Sequence, residues 1–248
     1  MLTLATWNIH KGFSQFNRRV VVHELRERLR LLNADIVFLQ EVQGQHLKHP
    51  HRHRNWPDAP QHHFLAEETW PHHAYGQNVA YAHGHHGNAI LSRFPIVQQH
   101  NQDITHFRFD HRGLLHCTIA VPHMPTPVHC VSVHLSLFGG SRKYQIAALV
   151  ERIEAEVPAG AALVIAGDFN DWRNQADLLL AQRLDLREAF ADAPGTRPAR
   201  SFPARLPMFR LDRIYLRGFT VTERSVHHGG PWAGISDHAA LSAQVRAI

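Results

Sequence analysis

The sequence predicts an α/β protein in which mixed β-sheets are covered by helices. Two observations lead there. Short apolar runs alternate with helical patterns along the chain, yet several strands follow one another with no helix between them, as at residues 114–121 and 128–135. Direct succession suits antiparallel neighbours, whereas a pure βαβ wheel would need a crossover each time. A third observation sets the class: 44% hydrophobic against 19% charged residues is a globular composition that can bury a core. The length of 248 residues fits one large domain or two small ones, and no internal repeat or long linker divides it.

The elements follow in order. Residues 2–7 read as a strand. Residues 18–32 place Val21, Val22, Leu25, Leu29 and Leu32 at helical spacing with charges between. Residues 34–40 form a short apolar strand that ends at Glu41. The stretch 43–63 is polar and rich in His and Pro, and reads as an excursion. Residues 78–82 and 89–92 look like a strand pair around a Gly-His-His-Gly turn. The alternating strands 114–121 and 128–135 are joined by a Pro-rich turn. Residues 142–156 make a second amphipathic helix, and 162–166 a buried strand ending in Gly167-Asp168-Phe169-Asn170. Residues 178–183 are helical or a turn, and 212–216 and 239–245 are the last strands.

Composition narrows the partners. A formal charge of +5, with 23 histidines able to add to it as pH falls, attracts polyanions such as nucleic acid or anionic membrane surfaces. No apolar run is long enough to span a membrane. The first residues read as a strand and not as a leader, so a cytoplasmic location is expected. Cys117 and Cys130 are too few for a disulfide framework and read as buried thiols.

Polar residues of one kind recur where apolar strands end. Asn8, Glu41, His134, Asp168 and Asn170 close such runs, and Asp237 and His238 open the last one. Strand ends on a rigid sheet can carry polar groups without burying them unsatisfied. Singly, each is as well explained by a turn or a solvated end. As a set they are carboxylates, carboxamides and histidines, with no nucleophilic Cys or Ser motif. Hard oxygen donors suit Mg²⁺ or Mn²⁺, and nearby imidazoles can exchange protons or bind a phosphate oxygen. Metal, activated water and imidazole together attack phosphorus without a covalent intermediate, although other metal chemistries stay open on this logic alone.

The order of motifs is more specific than any one of them. Thr6-Trp7-Asn8-Ile9, Leu39-Gln40-Glu41-Val42, the run from Gly87 to Ile96, Val133-His134-Leu135, Gly167-Asp168-Phe169-Asn170, Leu211-Asp212-Arg213-Ile214 and Ser236-Asp237-His238 occur in sequence. Together they resemble the endonuclease/exonuclease/phosphatase (deoxyribonuclease-I-like) superfamily over nearly the whole chain. Ile9-His10-Lys11-Gly12-Phe13 and Gly84-His85-His86-Gly87-Asn88 are similar to its small bacterial YbhP-like branch.

The resemblance implies one domain over 1–248, built as a four-layer α-β-β-α sandwich with two mixed sheets. It implies that Glu41 binds a Mg²⁺ or Mn²⁺ ion directly, with Asn8 beside it and Asp237 in support. Asp168 and Asn170 would position or deprotonate the attacking water. His238, oriented by Asp212, would act on the phosphate or as base, and the choice between Asp168 and His238 stays open. His134 would hydrogen-bond the scissile phosphate and help protonate the leaving oxygen. Apurinic-site endonucleases of the superfamily carry a Tyr-containing motif where this chain has Ser132-Val133-His134-Leu135, which argues against abasic-site repair. The activity expected is a metal-dependent nuclease on DNA or RNA, acting as a monomer. The alternative is a sphingomyelinase-like phospholipid or inositol-phosphate hydrolase. A binding module without catalysis is opposed by the filled metal and histidine positions.

Further candidates are weighed against plain structural roles. Asn88, Arg112 and Arg142 are candidate phosphate contacts, and the resemblance places His85 and His86 with Asn88 in a turn near the site mouth, where a phosphate contact and plain turn capping explain them equally well. Arg142 and Gln145 share a helix face, which solvation alone would explain. The histidines at 46, 49, 51, 53, 62, 63, 72 and 73 suggest zinc, but a solvated loop accounts for them without a carboxylate or Cys in tight spacing. Trp56 and Trp70 beside them read as core or lid packing.

Overall fold

The computed structural model describes residues 1–191 and 198–248. Two six-stranded sheets pack face to face. The first takes β1 (Leu2–Asn8), β2 (Ile36–His46), β3 (His72–Tyr81) and β4 (Gly84–Ser92) from the start of the chain, and β11 (Phe219–His227) and β12 (Ala240–Ala247) from its end, in the order β11-β12-β1-β2-β4-β3. The second contains β5 (Ile96–Asp103), β6 (Gly113–Ile119), β7 (Val128–His134), β8 (Leu163–Asp168), β9 (Arg187–Glu188) and β10 (Asp212–Arg217), in the order β5-β6-β7-β8-β10-β9. Each sheet has one parallel pair, β1 with β2 and β7 with β8, and is otherwise antiparallel.

Parallel neighbours need a crossover, and helices supply both: α1 (Val22–Leu32) joins β1 to β2, and α4 (Gly139–Glu156) joins β7 to β8. On α1 the buried residues Val22, Leu25, Leu29 and Leu32 fall on one face, and Asn33 ends the helix in the left-handed region. The short helix α2 (His49–Arg52) follows β2, α3 (Gln61–Ala66) packs beside α1, and α5 (Gln175–Leu184) lies beside α4.

Three apolar cores separate four layers. Leu4, Ile36 and Phe38 of the first sheet meet Cys117, Val164 and Ile214 of the second. Trp7, Val37 and Leu39 face α1 and α3, while Val131, Ile165 and Tyr215 face α4 and α5. The two-residue period of a strand therefore sends Leu4, Thr6 and Asn8 toward the opposite sheet and Trp7 away from it. Toward the strand ends the inter-sheet layer turns polar: Gln40 Nε2 donates to Thr6 Oγ1 and to Ser132 Oγ, each at 3.3 Å. Cys117 and Cys130 are cross-strand neighbours, both buried free thiols. Among the described residues no helix is long and apolar enough to cross a membrane.

Several elements depart from the sequence reading. The strand pair is β3 and β4, starting at His72 and turning after Tyr81, so His85, His86 and Asn88 lie within β4 and not in the turn. The excursion holds the end of β2 and two short helices. Some of its imidazoles are packed, His46 stacking on His49 with ring centroids 3.4 Å apart, whereas His51 and His63 are exposed. Trp70 is buried, its Nε1 donating to Ala34 O at 2.9 Å.

Candidate active site

The two parallel pairs end side by side. In register, Asn8 lies opposite Gln40, His134 opposite Asp168, and Asp168 opposite Asp212. One end of the sandwich thus gathers the polar strand termini of both sheets. Glu41 needs a special device, since strict alternation would turn it to the helix side with Leu39. It has φ +54°, and the β2–β4 register slips between Leu39 and Val42, which is a bulge that re-aims the side chain. Gly167 has a comparable role: its φ is +146°, and a Cβ there would lie 2.0 Å from Val133 O on β7.

These ends line a cleft of about 310 Å³ containing Lys11, Glu41, His134, Asp168, Asn170, Asp237 and His238. Asn8 Nδ2 donates to Glu41 Oε1 at 3.2 Å and to Asp168 Oδ2 at 3.1 Å, tying the two sheets' carboxylates together. Asp168 Oδ1 accepts from the backbone N–H of Asn170 at 2.9 Å, and Asn170 Nδ2 donates to Leu135 O at 2.9 Å. His238 bridges the sheets. Trp7 Nε1 donates to its carbonyl at 2.9 Å, and Ser236 Oγ donates to Asn8 O at 2.7 Å, which anchors its loop to β1. Its ring reaches across, with Nδ1 2.7 Å from Asp212 Oδ2 and Nε2 3.7 Å from Asp168 Oδ2. His134 Nε2 lies 3.6 Å from the same Asp168 oxygen.

The electrostatics follow from burial and crowding. Burial alone would raise the Glu41 carboxyl, but Lys11, whose Nζ is 3.1 Å from Oε2, together with His134 and His10 holds it well below the carboxylate range. Burial opposes charge on His238, yet Asp212 and Asp168 outweigh it and push the imidazole up to about 10. His134 is lowered to about 4, by burial first and then by Arg112. Burial raises Asp168, with His238 pulling the other way.

Of the residues singled out in the sequence, Asn8, Glu41, His134, Asp168, Asn170, Asp212, Asp237 and His238 come together around this cleft. Arg112 also lines it, its guanidinium 2.8 Å from Asp110. Arg142 does not line it. It is buried in the α4 layer, donating to Ser136 O and Leu137 O and lying 3.7 Å from Asp171, so neither a cleft contact nor a solvated face describes it. Gln145 is likewise buried, accepting from Ser136 N. Asn88 is buried between the sheets, where its Nδ2 donates to Gly113 O and Ser132 O, and it too lies outside the cleft lining.

Lys11, Trp172 and Phe202 line the cleft without having been assigned a part, and His86, weighed with His85 and Asn88 as a phosphate contact, lines it as well. Lys11 is positioned by Gln61, whose Nε2 donates to Lys11 O at 2.8 Å. Its sequence signal is its place just after Asn8, within Ile9-His10-Lys11-Gly12-Phe13.

Comparison with known proteins agrees with this geometry. A profile of the endonuclease/exonuclease/phosphatase family matches residues 5–238. The chain is 45% identical to the YbhP protein of Escherichia coli strain K12 over 240 residues, covering 97% of this chain and 94% of that one. A Beutenbergia cavernae endonuclease/exonuclease/phosphatase structure superposes with a TM-score of 0.76 at 21% identity, covering 99% of this chain and 71% of that one. A mannosyl-6-phosphatase from Bacteroides thetaiotaomicron superposes with a TM-score of 0.71 at 15% identity, covering 99% and 100%. The chain belongs to the endonuclease/exonuclease/phosphatase family, hydrolases of phosphoester bonds.

Proposed function

We propose that the chain is a divalent-metal-dependent phosphodiesterase with nucleic acid as its substrate. The observation that carries this reading is the charge arrangement in the cleft. Glu41 and Asp168 share one amide of Asn8, and Lys11, Arg112, His134 and His238 stand around them. Carboxylates gathered this closely attract a cation, and the basic groups beyond them suit phosphate oxygens.

Glu41, Asn8 and Asp237 would hold Mg²⁺ or Mn²⁺, which when bound supplies Lewis-acid polarisation of a phosphoryl oxygen. The carboxylates fit as hard oxygens, with Lys11 standing on Glu41 where a cation would sit; the Asn8 amide turns its Nδ2 to Glu41 and Asp168 and its Oδ1 to the His10 N–H, so it would present oxygen to an ion only by flipping. The chain's own residues handle protons and position. Asp212 fixes the His238 ring from behind. Asn170 fixes Asp168 through its backbone N–H. With His238 held protonated between Asp212 and Asp168, the Asp168 carboxylate takes the proton of the attacking water, His238 donates to the phosphate, and His134 hydrogen-bonds the phosphate beside the leaving oxygen. The net charge of +5 favours a polyanion over a neutral partner.

A second reading has its own observation. Leu137 and Trp172 line the cleft and are substantially exposed, and exposed Phe107, Phe138 and Phe209 continue from them. Such a rim can stack bases, but it also suits a phospholipid surface. Cleavage of supercoiled plasmid and single-stranded DNA or RNA with Mg²⁺ or Mn²⁺ and an EDTA control tests the first reading. Glu41→Ala and His238→Ala would run in parallel, each expected to lose at least about 100-fold in rate. Phospholipid vesicles, inositol phosphates and sugar phosphates test the second. Failure to turn over any of these with either metal would sink both.

A further inference from the structure

We propose that His62, His63 and His73 form a separate binding site for a transition-metal dication, Zn²⁺ foremost. Their ring nitrogens lie within 4.8 Å of one another, brought together from α3 and β3, and none of the three lines the catalytic cleft. Nδ1 of His62 and Nδ1 of His73 are buried with no hydrogen-bond partner. Buried polar atoms are normally paired, so two orphaned ring nitrogens in one cluster mark a place for a ligand. His62 is 9% exposed, and its ring stacks on Tyr75 with centroids 4.6 Å apart and planes 8° apart. Tyr75 is itself fixed by a 2.9 Å hydrogen bond between its hydroxyl and His85 Nδ1. One member of the site is therefore held in place before any ion arrives.

The donor set selects the metal. Imidazole nitrogens without carboxylates suit Zn²⁺ and its transition-metal neighbours, and are poor ligands for Mg²⁺, which the oxygen-rich cleft suits. The three ligands include no carboxylate whose charge would hold a proton on an imidazole against an incoming ion. His63 and His73 also line a surface cavity of about 780 Å³, which gives an ion a way in and leaves a fourth position for water. Side-chain rotation of His63, the most exposed of the three, would draw the nitrogens to tetrahedral spacing.

The test uses the full chain made without an affinity tag, stripped of metal and held in excess Mg²⁺ so that hard-donor sites are filled. Zn²⁺ is titrated calorimetrically, and Co²⁺ by the visible absorption that tetrahedral coordination produces. One ion per chain is expected. His63→Ala, which alters an exposed residue, and His73→Ala should each weaken binding at least about 100-fold, the upper range for losing even an outer-shell partner. The double variant His49→Ala/His53→Ala should bind as wild type. Zn²⁺ bound equally well by the His63 and His73 variants, or lost in the His49/His53 variant, would overturn the assignment, as would no binding by a folded wild-type chain.

Discussion

Gly167→Ala tests whether the site depends on a glycine that lets two strands approach. The added Cβ would sit 2.0 Å from Val133 O, where an ordinary C···O contact needs about 3.3 Å. Either β7 and β8 part by about 1 Å or the backbone leaves its φ of +146°, a region L-residues avoid. Overpacking costs about 1–3 kcal/mol, and the forced dihedral about 1–3 kcal/mol more. For a chain of this size the sum lowers Tm by about 5–20 °C. The two strands carry His134 and Asp168 at matched positions, so phosphoester hydrolysis should fall even at temperatures where the variant stays folded. Thermal melting by circular dichroism measures the first effect, with Gly140→Ala as control, because nothing lies within 4 Å of a Cβ there. A Gly167→Ala melt within about 2 °C of wild type would refute the packing argument, given the expected sensitivity of Tm to stability.

Two other outcomes follow from buried groups. Asp212→Asn keeps the shape behind His238 but removes the charge that supports its ring, so kcat should drop by about 10²–10⁴ with little change in KM; near-wild-type kcat would remove Asp212 from the orienting role. Glu188 is buried, with Oε1 unpartnered, and burial raises its carboxyl from 4.5 to about 7 despite the N–H of Phe190 and nearby Arg210. Because the folded value lies above the unfolded one, its contribution is complete below about pH 4.5, is lost as pH rises toward about 7, and is flat beyond. The interval corresponds to about 3 kcal/mol, which Glu188→Gln should remove from the pH dependence of urea unfolding; an unchanged pH slope would count against it.

The parts of the fold that follow a simple period were legible. Residues 18–32 and 142–156 repeat apolar positions at helical spacing, and α1 and α4 occupy them. The strand-end polar residues were legible because function places chemically distinctive groups where an apolar run stops. β5 and β11 were missed because their side chains are mostly polar and partly exposed, so only pairing with a neighbour makes them strands. Arg142 and Gln145 were misread for the complementary reason: helical spacing shows that two residues share a face, not what covers that face.

The sequence by itself determined the strongly periodic elements, the ordered motifs and, through them, the family and the class of bond attacked. Only the tertiary structure decided which residues meet. Asn8 and Asp168 are 160 residues apart and share a hydrogen bond, Glu41 enters the cleft through a bulge, Lys11 is held there by Gln61, and three histidines from two elements converge on one point. Side-chain periodicity is a local property of the backbone, whereas convergence depends on the packing of two sheets, which no stretch of neighbouring residues encodes.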